Sequence, residues 1–427
     1  MKKIGLLFFF ALGILNAQFI VKIESPKNFP DNEAYLYSLN GSKDMIMAKS
    51  VKQNESWIFN VPNNYVGMMK VYFPITNSTV TFISENKDVN FSFTLNNNKI
   101  SNVDYKDDAN KLFYNLQDKQ KKKDQILPAL YQIQTYYKND APFGEALKKE
   151  INFLDSDIAF NPDDHQFIDY YERNYNAYLS NNTAKLQPTN DDIIKFLNTT
   201  NNYLEASSLM KPILMVFLSN TSKTNIEDEV DKLMDTINIE TPRGQTILSE
   251  LIDIFVVYNI KDLKEKYLNK AKSLKCTIVD RLSGTIKSNI NTSIGELIPN
   301  KKFISPTNTK FKSLHEVKAD KKIIIFWSST CPHCEKEMSE MLPKYTLLKS
   351  KNIEIVGFSL DTDLKSYSDK VKLLPWINDT ELKGWYSDYV DIYNVHATPT
   401  FYIVDANNKI ISSPDNFTEA LDFLGLK

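Results

Sequence analysis

Cysteine and glycine are scarce in this chain of 427 residues, and neither sign of charge dominates it. The three cysteines are too few for the disulfide framework of a small stapled extracellular protein. With 11 glycines and 17 prolines, the chain is neither collagen-like nor of low complexity. A formal net charge of −2 supplies no positive field, so we expect no nucleic-acid partner.

The composition is that of an ordinary globular protein. Apolar residues make up 42% of the chain, aromatic residues 12% and charged residues 24%, which excludes wholesale disorder. At roughly 150 residues per domain, the length predicts about three domains. We predict a signal peptide, a β-rich domain, a helical domain and a C-terminal α/β domain at residues 1–17, 18–100, 101–293 and 294–427.

The first 17 residues have the pattern of a secretory signal peptide. Lys2 and Lys3 precede an apolar run from Ile4 to Leu15, and Ala17 marks the predicted cleavage site. The run is shorter than the roughly 20 apolar residues that a membrane-spanning helix needs. An uncleaved anchor or a buried strand is the alternative. We predict an exported protein of the periplasm or cell envelope, in an oxidising compartment.

Residues 18–100 contain short runs rich in β-branched and aromatic residues. Several runs, such as Thr79-Val80-Thr81-Phe82-Ile83, show the alternation that is typical of a half-buried strand. Turn-forming residues such as Asn40-Gly41 separate the runs. The pattern predicts a small antiparallel β-sandwich or barrel.

Between residues 101 and 293 the apolar positions recur every three or four residues, which is typical of amphipathic helices. Helix-start signals occur in the same region, for example Thr189-Asn190-Asp191-Asp192. We therefore predict an all-α middle region of about eight helices.

The pattern changes again after residue 293, where apolar runs alternate with helical periodicity. This order predicts a mixed sheet with helices on its faces, and hence an α/β domain. The predicted strands are 321–327, 353–359, 400–405 and 409–412, and the predicted helices are 335–350 and about 417–424.

Two cysteines lie at Cys331-Pro332-His333-Cys334, between a predicted buried strand and a predicted helix. A cysteine at a helix N-terminus faces unpaired N–H groups and the positive end of the helix dipole, which favour the thiolate. We therefore predict that Cys331 is the nucleophile. Cys334 lies one turn further on, where it can close a disulfide or resolve a mixed disulfide. Pro332 fits the first helical turn, where its missing N–H costs nothing.

Three alternatives concern this motif. As an imidazolium, His333 would stabilise the reduced form of the cysteine pair and so make the disulfide form a stronger oxidant. Alternatively, His333 is a neutral exposed residue without influence on the pair. A structural zinc site needs four ligands, but His315 and His396 stand alone in the sequence, so we predict no metal. A purely structural disulfide would close a loop too small to add much stability.

The last third of the chain resembles the exported thiol-disulfide oxidoreductases of the TlpA/ResA type, which have a thioredoxin fold. The resemblance rests on the segments Ile294 to Pro299 and Phe326 to Glu337 and on Thr398-Pro399-Thr400-Phe401. It implies disulfide exchange with protein clients, a membrane-linked electron donor or acceptor, and no cofactor besides the redox-active cysteine pair. The preceding modules are similar to those of large Bacteroidetes-like envelope proteins of the thioredoxin family.

The resemblance also implies roles for residues outside the cysteine pair. In the family, a cis-proline packs against the cysteines and the backbone of the preceding residue pairs with the substrate, which assigns substrate binding to Pro399 and Thr398. Trp327 is assigned to substrate binding as well. Glu337 matches an acidic residue that would move the proton of Cys334. The alternative for Glu337 is a solvated helix glutamate.

Two features disagree about the direction of electron flow. The frame around the motif resembles the reductant family, whereas the Pro332-His333 pair resembles the DsbA oxidants. We favour a reductant, with a disulfide oxidase or isomerase as the alternative and a client-binding scaffold as an alternative of another class. The remaining cysteine, Cys276, is expected to be buried and inert, or else to form an intermolecular link or join a redox relay.

Overall fold

The computed structural model describes residues 19–97, 99–137, 141–180, 187–222 and 225–426. The predicted signal peptide, residues 1–17, lies outside these described residues. The strands are β1 (Phe19–Glu24), β2 (Glu33–Asn40), β3 (Lys43–Val51), β4 (Ser56–Val61), β5 (Val66–Phe73), β6 (Ser78–Glu85), β7 (Val89–Asn96), β8 (Lys99–Tyr105), β9 (Lys321–Trp327), β10 (Ile353–Ser359), β11 (Ile377–Thr380), β12 (Thr400–Asp405) and β13 (Ile410–Ser412). The helices are α1 (Asp108–Gln125), α2 (Leu127–Tyr137), α3 (Ala141–Asp155), α4 (Gln166–Tyr178), α5 (Asn190–Thr199), α6 (Met210–Ser219), α7 (Ile226–Ile237), α8 (Pro242–Val257), α9 (Lys261–Lys272), α10 (Asp280–Asn291), α11 (Pro332–Ser350), α12 (Leu364–Val371), α13 (Asp388–Ile392) and α14 (Phe417–Leu424).

The described chain forms two compact units. The first holds β1–β8, apart from residues 40–43, together with α1–α4 and residues 201–209. The second holds residues 40–43, helices α5–α10 and the α/β region that follows them. The two units are defined by contacts within the chain and do not test the predicted domain boundaries, which stay predictions.

The first unit contains a β-sandwich. One sheet has the order β4-β1-β7-β8 and another has the order β3-β2-β5-β6. Alternate side chains of both sheets meet in a shared core, in which Phe29, Trp57, Phe73 and Phe93 pack as a cluster of rings. The predicted antiparallel arrangement is wrong for one pair, because β1 and β7 run parallel. Residue alternation defines the faces of a strand but not its direction.

Helices follow the β-sandwich, as the sequence predicts, but the described residues between 108 and 291 form ten of them rather than about eight. The start signal at Thr189 forms a capping box with Asp192, since each side chain accepts from the other's backbone N–H. In the second unit, every residue of α8 from Gly244 to Phe255 is buried. The helix is therefore covered on all its faces, and its apolar residues are not confined to one face.

The α/β region of the second unit is built on a sheet of order β11-β10-β9-β12-β13. Strands β9, β10 and β11 are parallel, and β12 runs antiparallel to both β9 and β13. Strand β9 is buried on both faces, with Ile323, Ile325 and Trp327 in one core and Ile324 and Phe326 in the other. The sheet is therefore mixed and covered on both sides, which explains the continuous apolar run in β9.

The protein is thus multi-domain, with a β-sandwich, a helical middle region and a C-terminal α/β fold of the thioredoxin type. Among the described residues, none of the helices combines the length and the apolar character that crossing a membrane requires.

Candidate active site

Cys331 is the N-cap residue of α11 and follows the short turn after β9. Its sulfur accepts a hydrogen bond from the backbone N–H of Cys334, with a distance of 3.3 Å between nitrogen and sulfur. Pro332 occupies the first helical turn, as the sequence predicts. The sulfur of Cys331 therefore lies where the unpaired N–H groups and dipole of the helix favour negative charge.

The two thiols of the motif lie in different environments. Cys331 is partly exposed, whereas Cys334 is fully buried. Burial raises the pKa of Cys331, but hydrogen bonds from Cys334, from the Thr398 side chain and from the N–H of His333 outweigh it and lower the pKa overall. Burial, together with the neighbouring Cys331, raises the pKa of Cys334 to about 12. The accessible sulfur is thus the more acidic of the two, and the buried sulfur stays protonated near neutral pH.

The loop before β12 faces the cysteine pair. The Thr398-Pro399 peptide bond is cis, as the resemblance implies. The thiol of Cys331 donates to the carbonyl oxygen of Thr398 at 3.4 Å. The structure therefore brings Thr398 and Cys331 together, although the two are 67 positions apart. The substrate-binding roles of Thr398 and Pro399 stay predictions.

The other predicted site residues differ in their surroundings. His333 is exposed on α11. Trp327 is fully buried and packs against Tyr367, with ring centroids 6.0 Å apart, so its burial does not favour the predicted contact with substrate. The Glu337 carboxylate accepts a hydrogen bond from the N–H of Phe417 at 2.7 Å, at the start of α14. This bond anchors one helix to another, and the predicted proton transfer by Glu337 stays a prediction.

Asp361 is a site residue that the sequence analysis missed. It is buried after the end of β10, where its carboxylate accepts from the hydroxyl of Ser328 at 3.1 Å and from the hydroxyl of Ser359 at 2.6 Å. It also accepts from the N–H and the hydroxyl of Ser329, at 2.9 and 2.7 Å. These bonds fix the turn that leads into Cys331. The only sequence signal was an acidic residue two positions after the end of a buried strand.

The third cysteine lies in the helical part of the second unit. Cys276 is partly exposed rather than buried, so the expectation of a buried thiol is wrong, because it lies in an irregular segment between α9 and α10. Its sulfur accepts a hydrogen bond from the side-chain amide of Gln245 at 3.3 Å.

In the described part of the chain, no three side chains of His, Cys, Asp or Glu come together in a way that would hold a metal ion. His315 and His396, two histidines outside the motif that could serve as zinc ligands, have other partners. His315 contacts the carbonyl oxygen of Ile298 at 2.6 Å, and His396 contacts Asn394 at 2.9 Å. The absence of a metal or cofactor in the function stays a prediction.

Comparisons with known proteins agree with this site. A family profile described as thioredoxin-like matches residues 320–410. The thiol-disulfide oxidoreductase ResA of Bacillus cereus (strain ATCC 10987 / NRS 248) is 30% identical over 122 residues, which cover 28% of this chain and 67% of that protein. ResA of Bacillus thuringiensis subsp. konkukian has the same identity and the same coverage.

Solved structures of related domains are also similar to this chain. A domain of a possible thiol-disulfide isomerase from Cytophaga hutchinsonii is 25% identical and covers 31% of this chain and 91% of that domain, with a TM-score of 0.28. A thioredoxin-like protein from Bacteroides caccae is 14% identical and covers 58% of this chain and 97% of that protein, with a TM-score of 0.36.

A cysteine pair at the start of α11, on a mixed sheet with helices on both faces, defines a thiol-disulfide oxidoreductase of the thioredoxin fold. The match to ResA extends over two thirds of that protein's length. The chain belongs to the ResA-like family of thiol-disulfide oxidoreductases.

Proposed function

We propose that the protein reduces disulfides of exported client proteins through Cys331 and Cys334. The observation that carries the proposal is the contrast between the two sulfurs. Cys331 is accessible and its pKa is lowered, whereas Cys334 is buried and its pKa is raised to about 12. Disulfide exchange in either direction needs this division, because one thiol must attack first while the other stays in reserve. The reductant direction is supported by the frame around the motif, which resembles the reductant family.

The reaction proceeds in two exchange steps. The Cys331 thiolate attacks one sulfur of the client disulfide, forms a mixed disulfide and releases the first client thiolate. The released client thiolate takes up a proton as Cys334 loses its own, and the Cys334 thiolate then attacks the sulfur of Cys331. This step releases the second client thiolate and leaves the Cys331–Cys334 disulfide. The client gains two electrons, and a membrane-linked dithiol donor returns two electrons to the pair. No bound cofactor takes part.

The periplasm or cell envelope is the proposed location. Its support is the signal-peptide pattern of residues 1–17 and the similarity to ResA. A disulfide reductant in an oxidising compartment needs a dedicated electron supply, which is why a membrane-linked donor belongs to the proposal.

A disulfide oxidase or isomerase is the second candidate. The exposed His333 between the cysteines favours it, since a positive charge beside Cys331 would stabilise the reduced pair. In that case the oxidised pair accepts two electrons from client thiols and passes them to an acceptor in the membrane. A scaffold that only docks clients would need no exchange chemistry at all.

The reduction potential of the cysteine pair distinguishes these functions. The purified full chain is equilibrated in glutathione or dithiothreitol buffers, its free thiols are alkylated, and the reduced fraction is measured by mass. A value near that of thioredoxin, about −270 mV, supports the reductant, and one near that of DsbA, about −120 mV, supports the oxidase. A pair that never exchanges with the buffer supports the scaffold.

A further inference from the structure

A cleft of about 720 Å³ opens beside Pro399 in the second unit. The ends of α8 and α10 and the first turns of α9 form one wall, and residues 394–402 and 413–415 form the other. Thr398, next to Pro399, contacts the sulfur of Cys331 at 3.4 Å. Pro399 lines the cleft, whereas Cys331 and Thr398 do not, so a client disulfide that reaches Cys331 lies beyond the Pro399 edge of the cleft.

The cleft is large enough for several residues of an extended polypeptide, since its volume lies within the roughly 300–1,000 Å³ of ordinary ligand sites. Two exposed apolar side chains line it from the helical side. Val257, at the end of α8, is 38% exposed, and Ile294, after α10, is 69% exposed. Apolar side chains of a bound segment would remove both from water.

The charged side chains of the cleft already have partners of opposite sign. Lys264 lies 2.7 Å from Glu265, and Lys261 lies 3.9 Å from Asp415. The charges at the rim are therefore largely compensated within the protein. The cleft suits an uncharged, partly apolar segment better than a strongly acidic or basic one.

A chain of hydrogen bonds fixes the orientation of His396, which also lines the cleft. The amide nitrogen of Asn289 donates to the carbonyl oxygen of Thr285 at 2.9 Å, and its amide oxygen accepts from Asn394 at 3.2 Å. The amide oxygen of Asn394 then accepts from Nε2 of His396 at 2.9 Å. The carbonyl of Thr285 can only accept, so the Asn289 amide must point its nitrogen toward it. This orientation determines which atom donates in each of the following hydrogen bonds. The neutral ring of His396 carries its proton on Nε2 and has Nδ1 as an acceptor.

We propose that this cleft binds an extended client segment next to the cysteine that Cys331 attacks, with a client N–H donating to Nδ1 of His396 and an apolar client side chain packing on Val257 and Ile294. Helices α8–α10 thereby become part of the client-recognition surface. The inference rests on the proposed function and adds the helical region and His396 to the surface that recognises the client.

The test compares two symmetrical disulfides as probes. One is the disulfide dimer of an uncharged ten-residue peptide with valine and leucine around its cysteine, and the other is hydroxyethyl disulfide. In the full chain carrying Cys334→Ala, the Cys331 thiolate attacks either probe, forms a mixed disulfide and releases one thiolate. Mass spectrometry gives the second-order rate constant for each probe.

Variants Val257→Asp and Ile294→Asp are expected to lower the ratio of the peptide rate to the small-disulfide rate by about tenfold, the effect of losing one well-buried apolar contact. The matched control is Leu373→Asp, which replaces an equally exposed apolar side chain, 67% exposed, outside the cleft, and should leave the ratio unchanged. A ratio that stays at the wild-type value in both cleft variants would overturn the inference. If neither probe forms an adduct on Cys331, the proposed function itself fails.

His396 allows an independent test in the same assay. His396→Phe removes the acceptor and is expected to lower the ratio, whereas His396→Gln retains an acceptor and should restore part of it. Equal ratios in these two variants would overturn the proposed hydrogen bond from the client.

Discussion

The carboxylate of Asp361 accepts hydrogen bonds from both the backbone N–H and the hydroxyl of Ser329, at 2.9 and 2.7 Å. Ser329 lies in the turn between β9 and Cys331, so a residue just after β10 holds the turn that leads into the helix with the cysteine pair. The redox motif is local in sequence, but the support that positions it comes from the neighbouring strand.

Replacing Asp361 by Ala should therefore destabilise the protein. The substitution leaves one buried donor, the hydroxyl of Ser359, and the partly buried donors of Ser328 and Ser329 without this acceptor. Hydrogen bonds to a charged group contribute more than neutral ones, so we expect a loss of about 3 kcal/mol in the free energy of unfolding. Urea denaturation measures this loss. Asp363→Ala is the control, because Asp363 is exposed and its side chain caps α12 by accepting from Ser366, and it should cost much less. Equal losses in the two variants would contradict the assigned role of Asp361.

The difference in pKa between the cysteines predicts which one reacts with iodoacetamide. Only the thiolate reacts, and lowering the pKa of Cys331 increases its thiolate fraction at every pH below the ordinary thiol value. The pKa of Cys334, about 12, keeps that thiol protonated through the neutral and mildly alkaline range. Mass-mapped labelling as a function of pH should show Cys331 reacting at lower pH than it does in the denatured chain. Cys334 should react only at much higher pH, and labelling of both at the same pH would refute the assignment.

Replacing Cys334 by Ala should trap clients on Cys331. Without the second thiol, the mixed disulfide is resolved only by outside thiols, so covalent adducts accumulate. Non-reducing electrophoresis followed by mass spectrometry would detect them. Cys331→Ala should give no adducts. A variant that carries both Cys334→Ala and Cys276→Ala should still accumulate them. Adducts on Cys334 in the Cys331→Ala variant instead would reverse the order of attack.

The sequence predicted the bounds of a strand correctly where the strand is apolar on both faces. Strands β9, β10 and β12 have the predicted bounds, because each has a largely apolar middle that is buried between two layers. Strand β11 was missed, since Asn378, Asp379 and Thr380 are polar although they are buried. Asp379 is accommodated because its carboxylate accepts from the backbone N–H of Ile304 at 3.0 Å.

The candidate site also has parts that the sequence predicts and parts that it does not. The positions of Cys331 and Cys334 follow from a local pattern, a strand followed by a turn and a helix start. The bond between Asp361 and Ser329 joins residues 32 positions apart, and the contact of Glu337 with Phe417 joins residues 80 positions apart. Such pairings depend on the tertiary arrangement, so periodicity and motif spacing cannot predict them.

Arg281 should be essential for the stability of the second unit. Its guanidinium lies 2.5 Å from Asp253 and 3.1 Å from Glu250, and the Arg281 and Glu250 side chains are almost completely buried. Arg281→Met would leave two carboxylates without their cation in a buried site, which typically costs about 3–5 kcal/mol. Lys232→Met removes an exposed partner of Asp191 and is expected to change little. Thermal or urea unfolding compares the two, and a small effect of Arg281→Met would show that the cluster is readily replaced.

The same substitution, glycine to alanine, should have opposite effects at two positions of the second unit. At Gly357 in β10, an added Cβ would lie 2.4 Å from Oδ1 of Asn378 and 2.9 Å from Nε1 of Trp327. At Gly284 in α10, nothing lies within 4 Å of the added Cβ. Gly357→Ala should therefore destabilise the protein by about 1–3 kcal/mol through overpacking of a buried strand.

Gly284→Ala should instead stabilise the protein by about 0.5–1 kcal/mol, because alanine loses less conformational freedom in a helix than glycine does. Urea unfolding of both variants, analysed with a common slope, gives the two differences directly. The chemical change is identical, so the opposite signs reflect the surroundings, which are open space on a helix at Gly284 and close contacts in a buried strand at Gly357. A destabilised Gly284→Ala variant, or an unaffected Gly357→Ala variant, would mean that the packing around that position differs from the arrangement described above.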